Sequence, residues 1–143
     1  LEFDGQGRAM LAGWEQQVAT PEVKMEKVEV PGGKTAYSIS SGPGGAQASW
    51  RKKVILPAGN YKLAARVRVV GYQPLGDPRS GVTLRISGET PPPTLATDTE
   101  WKWIAGTFQV REVQREVVLV LELRAARGRA LFEAESLMLQ RVP

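Results

Sequence analysis

Between Tyr61 and Val69 the chain alternates without a break: Tyr61, Leu63, Ala65, Val67 and Val69 fall on one side of an extended backbone, and Lys62, Ala64, Arg66 and Arg68 on the other. A period of two is what a strand with one buried face requires, whereas a helix would spread the same residues around its circumference. Gly81 to Ser87 repeats the pattern, with Val82, Leu84 and Ile86 set against Thr83, Arg85 and Ser87. Val54-Ile55-Leu56 precedes Pro57-Ala58-Gly59-Asn60, whose residue types commonly reverse a chain, so a hairpin is expected between Leu56 and Tyr61. Trp101 to Val110 reads as a further strand. Its more aliphatic set contains Ile104, Phe108 and Val110, which turns Trp103 outward.

Arg111 to Arg127 is ambiguous by composition, because Glu, Arg, Leu and Ala favour helix. The β-branched Val113, Val117, Val118 and Val120, and the alternation of Val117, Leu119, Leu121 and Leu123, decide for strand. Ala125 to Gly128 then turns into a last strand at Leu131 to Leu139. The N-terminal third yields strands around Met10 to Gln17, Val23 to Val30, Thr35 to Ser40 and Ala46 to Leu56, separated by Pro21, Pro31-Gly32-Gly33 and Gly42 to Gly45. Pro91-Pro92-Pro93 marks Glu89 to Asp98 as a surface crossing between sheets. Eight or nine short strands, turn signals at regular spacing and no clear helix predict an all-β antiparallel β-sandwich, a jelly roll, formed by residues 1–143 as a single domain.

Composition agrees and removes several functions. A chain of 143 residues with 42% hydrophobic residues has enough apolar material for one ordinary core. It contains no Cys and no His, which excludes disulfides, thiolate nucleophiles, most zinc sites and the common hydrolytic triads. Gly42-Pro43-Gly44-Gly45 lacks the lysine and helix of a phosphate loop. The longest apolar run, Val117 to Leu121, falls far short of the roughly twenty residues that cross a bilayer. Lys and Arg number 19 against 15 Asp and Glu, a formal charge of +4. These cations are dispersed, with clusters only at Arg51-Lys52-Lys53 and Arg124 to Arg129, and nucleic acid is the weakest of the partner readings. The chain begins at Leu1 without a leader-like segment, and the expectation is a piece excised from a larger protein.

Three stretches carry a family resemblance. Ser49-Trp50-Arg51-Lys52-Lys53-Val54-Ile55-Leu56-Pro57-Ala58-Gly59-Asn60-Tyr61, continuing to Val67, resembles the central hairpin of galactose-binding-like jelly-roll domains, a group that holds many carbohydrate-binding modules. Thr99-Glu100-Trp101-Lys102-Trp103-Ile104-Ala105-Gly106-Thr107-Phe108 is similar to the family's tryptophan strand. Gly128-Arg129-Ala130-Leu131-Phe132-Glu133 is similar to its closing segment, although Glu133-Ala134 stands where members often carry Asp followed by Asp or Asn. The resemblance covers Met10 to Leu139 and implies a structural calcium ion bound through Asp4 and Glu133, with Glu135 behind them; the alternative is that these are solvated surface acids.

Sugar rings stack on flat aromatics and pair their hydroxyls with planar donors or carboxylates. Trp103 is therefore the leading ligand-binding candidate. Arg66, Arg68, Thr83 and Arg85 supply polar contacts provided that their strands share its sheet, and Tyr72 offers a second ring on a Gly- and Pro-rich loop. A Trp103 covered by a neighbouring loop or domain is the competing reading. Trp14 and Trp50 are assigned to the core, and Tyr61 is expected to be buried with its hydroxyl on a backbone partner. No residue is assigned a catalytic role. The expected function is a non-catalytic, carbohydrate-binding-like accessory module of an exported bacterial protein, extracellular or in the cell envelope, whose partners are a polysaccharide and neighbouring domains of the same polypeptide. The alternatives are a structural or protein-interaction sandwich without a glycan site and, third, weak nucleic-acid binding through Arg66, Arg68 and Arg85.

Overall fold

The computed structural model of the chain describes residues 1–143. Its strands are β1 (Arg8–Met10), β2 (Glu15–Val18), β3 (Lys24–Val30), β4 (Lys34–Ser40), β5 (Ala46–Gln73), β6 (Gly81–Ile86), β7 (Thr99–Ala125), β8 (Arg127–Glu133) and β9 (Met138–Val142), with one 3-10 turn at Ala134–Ser136. All pairings are antiparallel and the sheet curls into a β-sandwich of jelly-roll type.

Two of the strands are long. β5 and β7 run side by side from Ala46↔Ala125 to Val69↔Thr99, with a register shift between Pro57 and Gly59. The expected hairpin at Pro57 to Asn60 is thus not formed. Before and after these residues β5 has the same partner, Leu56 opposite Arg115 and Gly59 opposite Val110. Pro57 and Gly59 do bend the chain, but as a bulge that turns a continuous ribbon. Tyr61 lies inside the bend with its ring buried, and its hydroxyl donates to the Pro57 carbonyl at 2.6 Å.

The bulge also exchanges the faces of the ribbon. Ala46, Ala48, Trp50, Val54 and Leu56 point inward before it, and Tyr61, Leu63, Ala65, Val67 and Val69 after it. In β7 the inward set changes from Ile104, Phe108 and Val110 to Val117, Leu119, Leu121 and Leu123. Between the pairs Pro57↔Gln114 and Gly59↔Val110, β5 advances by two residues and β7 by four, and across this irregular stretch the alternation inverts in both strands, so the ribbon keeps its apolar side toward the core on both sides of the corner.

The ribbon's two halves seed two layers. In the first, β2 pairs with β5 and β6 with β7, giving the order β2, β5, β7, β6. In the second, the other half of β5 is flanked by β7 on one edge and by β9 and β8 on the other, with β4 on β8, β3 on β4 and β1 on β9. The expected final strand Leu131 to Leu139 is therefore two strands interrupted by the 3-10 turn, where Ser136 Oγ accepts the Arg66 N–H at 2.8 Å and donates to the Glu133 carbonyl at 2.8 Å. The expected strand Met10 to Gln17 is likewise two strands. Gly13, with φ +73, lets the chain pass from the second layer to the first.

Trp14, Tyr37 and Trp50 form one aromatic group in the core, and Tyr61 stacks on Phe108 at 5.5 Å. At the sandwich edge a Cβ on Gly106 would stand 3.0 Å from the Leu84 carbonyl oxygen, so glycine allows β6 to close against the inner side of β7.

Candidate functional site

Alternation brings Trp101 and Trp103 to the outer side of β7 and Arg66 and Arg68 to that of β5, and Arg66 lies directly opposite Trp103 in the register. Trp103 is 53% exposed, so its ring is not covered within this chain. The Arg66 guanidinium sits 5.8 Å from the Trp101 ring centroid and donates from Nη1 to Glu133 Oε2 at 3.0 Å. Lys34 Nζ reaches the other carboxylate oxygen at 3.3 Å. Glu133 is 4% exposed, a buried anion that two cations compensate. Arg68 Nη2 lies 3.8 Å from Glu100, and its Nε is buried without a partner. One outward surface thus carries an uncovered indole beside a guanidinium held in a fixed orientation, a flat apolar face next to planar donors.

Thr83 and Arg85 do not belong to this surface. Their strand, β6, pairs with the other half of β7, Arg85 opposite Val120 and Thr83 opposite Glu122, and so lies in the first layer. Because β7 serves both layers, a residue near it in sequence is not thereby near Trp103. Tyr72 is also committed elsewhere. Its ring packs on the core, its N–H donates to Asp98 Oδ1 at 2.7 Å, and its hydroxyl shares a 2.6 Å hydrogen bond with Ser80 Oγ.

The acids of the expected calcium site have other partners. Asp4 Oδ1 accepts the N–H groups of Arg8 and Gln6 at 3.0 and 2.8 Å, bonds that hold its carboxyl below the usual carboxylate range, the Arg8 bond most. Glu133 is occupied by Lys34 and Arg66, and no group of three acidic residues comes together that could hold a metal ion. Calcium takes six to eight oxygen ligands, and in this structure Asp4 accepts from backbone N–H groups while Glu133 is paired with cations. Glu135 instead accepts both the N–H and the hydroxyl of Thr35, at 2.8 and 2.7 Å, and its pKa is lowered by the first bond and then the second.

The first layer's outer surface has a different make-up. Register aligns Glu15, Arg51, Val120 and Arg85 in one row across β2, β5, β7 and β6, and Gln17, Ser49, Glu122 and Thr83 in the next. Glu122, 8% exposed, accepts two hydrogen bonds from Arg85, Nε at 3.1 Å and Nη2 at 2.8 Å, with Arg79 Nη2 at 4.0 Å. Arg51 donates from Nε to Ser49 Oγ at 3.0 Å. Burial first, and then the charge of Arg85, hold Arg51 below the ordinary guanidinium value. In the sequence Arg51-Lys52-Lys53 is evident as a basic cluster, and the signal for Glu122 is its position among the outward residues of an otherwise apolar strand.

No family model matches the chain, and no curated protein matches its sequence. Solved structures do match its fold. The CBM22-1 xylan-binding domain of Paenibacillus barcinonensis Xyn10C gives a TM-score of 0.60 at 16% identity, over 93% of this chain and 88% of that one. TmCBM61, solved in complex with β-1,4-galactotriose, gives 0.55 at 17% identity, over 93% and 91%. The CBM22-1–GH10 modules of Clostridium thermocellum xylanase 10B, complexed with xylohexaose, give 0.51 at 13% identity over 92% of this chain and 26% of that one. The chain therefore has the jelly-roll fold found in carbohydrate-binding modules.

Proposed function

We propose that this chain is a non-catalytic, glycan-binding accessory module, and that Trp103 is its stacking platform with Arg66 and Arg68 beside it. The observation that carries the reading is the exposed Trp103 indole set opposite Arg66, whose guanidinium is oriented by buried Glu133. A sugar's C–H face matches an exposed indole in shape and polarity, and the guanidinium beside it offers planar donors to the hydroxyls. The shared fold with carbohydrate-binding modules supports the same reading. So does the xylanase in which the matching fold is one part of a longer chain. On this reading the module belongs to a larger exported bacterial protein, acts outside the cell or in its envelope, and contributes affinity while a neighbouring domain does the chemistry. No helix of the structure is long and apolar enough to cross a membrane.

Affinity electrophoresis through gels containing soluble xylan, galactan or β-glucan tests the proposal. The wild type should be retarded by at least one of these neutral polysaccharides, Trp103→Ala should migrate as in a blank gel, and neither should release reducing ends. A wild type that no polysaccharide retards would overturn glycan binding and leave Trp103 as a contact for a neighbouring protein domain.

A further inference from the structure

The first layer's outer surface is not a flat sheet face. Two hollows flank its central rows. One, of about 590 Å³, is lined by Gln16, Gln17, Arg51 and Lys53 on the β2 side. The other, of about 300 Å³, lies between Thr83, Glu122 and Arg79 and the proline wall Pro91 to Pro93. The rows between them cross four strands, about 14 Å at the usual strand spacing.

The charge in this trough is unbalanced. The two hollows are lined by Arg51, Lys52, Lys53 and Arg79 against Glu15 and Glu122, and Glu122 is already bound in a bidentate pair to Arg85. Arg51 uses Nε on Ser49, and its two terminal nitrogens make no hydrogen bond within the protein. Partly buried beside Arg85, it makes no salt bridge, and its terminal nitrogens form the planar fork that matches a carboxylate in two-point geometry. The exposed amides of Gln16 and Gln17 lie beside it in the same hollow, whereas Ser49 and Thr83 are buried beneath it.

No aromatic side chain lines either hollow. A single-stranded nucleic acid would therefore find no stacking partner here, and a neutral sugar would lack an apolar platform. A polymer of rings bearing both carboxylates and hydroxyls meets the cations with the first and the amides of Gln16 and Gln17 with the second. We infer that this trough is a second binding site, which takes a carboxylate-bearing polysaccharide across β2, β5, β7 and β6, with Arg51 and Lys53 receiving the carboxylates and Arg85 positioned by Glu122. The site is independent of the Trp103 surface, which lies on the other layer, and the two readings stand or fall separately.

Titration with polygalacturonate and with its fully methyl-esterified form, which has the same backbone without the charge, tests the inference. The wild type should bind polygalacturonate at least tenfold more tightly than the ester. The double variant Arg51→Gln, Lys53→Gln should lose at least tenfold, with an unchanged melting temperature because neither side chain is part of the core. Trp103→Ala should bind polygalacturonate as the wild type does. Equal affinity for the ester, undiminished binding by the double variant, or loss of binding in Trp103→Ala would overturn it. So would duplex DNA binding as tightly as polygalacturonate and through the same two residues, since that is the behaviour of a surface that reads charge alone.

Discussion

The two outer surfaces of the sandwich are built from one ribbon and one device, and they differ in what surrounds that device. On each, a buried glutamate holds an arginine in a fixed orientation: Glu133 with Arg66 on the second layer, Glu122 with Arg85 on the first. Beside Arg66 stands an exposed indole. Beside Arg85 stand another guanidinium and no aromatic ring. A backbone that alternates sides can thus present an apolar platform on one layer and a cationic trough on the other without any change of fold. The difference between the two surfaces lies in the neighbour supplied by strand register.

The burial of the two pairs differs as well, and this is where the comparison is easiest to break. Arg85 and Glu122 side chains are each 11% exposed, while Arg66 and Lys34 are 32% and 46% exposed around Glu133. Removing Glu122 strands a buried cation, so Glu122→Ala should cost about 3 kcal/mol in urea unfolding. Glu133→Ala leaves cations that can swing into water and should cost about half as much. The reverse order would mean that the second layer, not the first, holds the desolvated pair.

Next in size is an effect on binding alone. Trp103→Ala should weaken binding of a neutral glycan at least tenfold, yet change stability by less than about 0.5 kcal/mol, because a half-exposed ring contributes little to the core. Calorimetry together with thermal melting measures both. A large loss of stability would show the indole to be structural.

Ionic strength should then sharpen the division. Raising salt from low to several hundred millimolar shortens the screening length to a few ångströms, so affinity for a carboxylated polymer should fall several-fold while affinity for a neutral one stays within about twofold. Equal salt responses would merge the two surfaces into one.

The smallest expected effect concerns the link between β4 and the 3-10 turn beneath Glu133. Glu135 has a folded pKa below its unfolded value because Thr35 donates to it. Its stabilising contribution is therefore complete above the unfolded value of about 4.3 and fades as pH falls through that value to the folded one. Glu135→Gln should be slightly less stable than wild type at pH 7 and converge with it near pH 3. Urea midpoints at the two pH values give the comparison, and a difference that persists at low pH would mean that the stabilisation is not ionic.

Sequence periodicity located nearly every strand and gave the parity of β7 correctly: Ile104, Phe108 and Val110 inward, Trp103 outward. Local alternation is sufficient for that, because burial of one face imposes it. The residue types of Pro57 to Asn60 serve turns and bulges alike, and only the partner strand distinguishes them. Thr83 and Arg85 were grouped with Trp103 because which half of a 27-residue strand a neighbour pairs with is a long-range fact. For the same reason the meeting of Arg51, Glu122 and Arg85 was not readable. Each residue looks like an ordinary outward charge until register aligns strands far apart in sequence.

The most direct test of the division between surfaces is a single NMR titration that observes the Trp103 indole N–H and the backbone amides of β5 and β7. A neutral oligosaccharide bound in the affinity gels should shift the Trp103 indole and the amides around Ala64 to Arg68. Oligogalacturonate should shift Ser49 to Lys53 and Val118 to Glu122 and leave the Trp103 indole in place. If both ligands move the same set of signals, or if the neutral ligand binds without moving the Trp103 indole, the two-surface account is wrong.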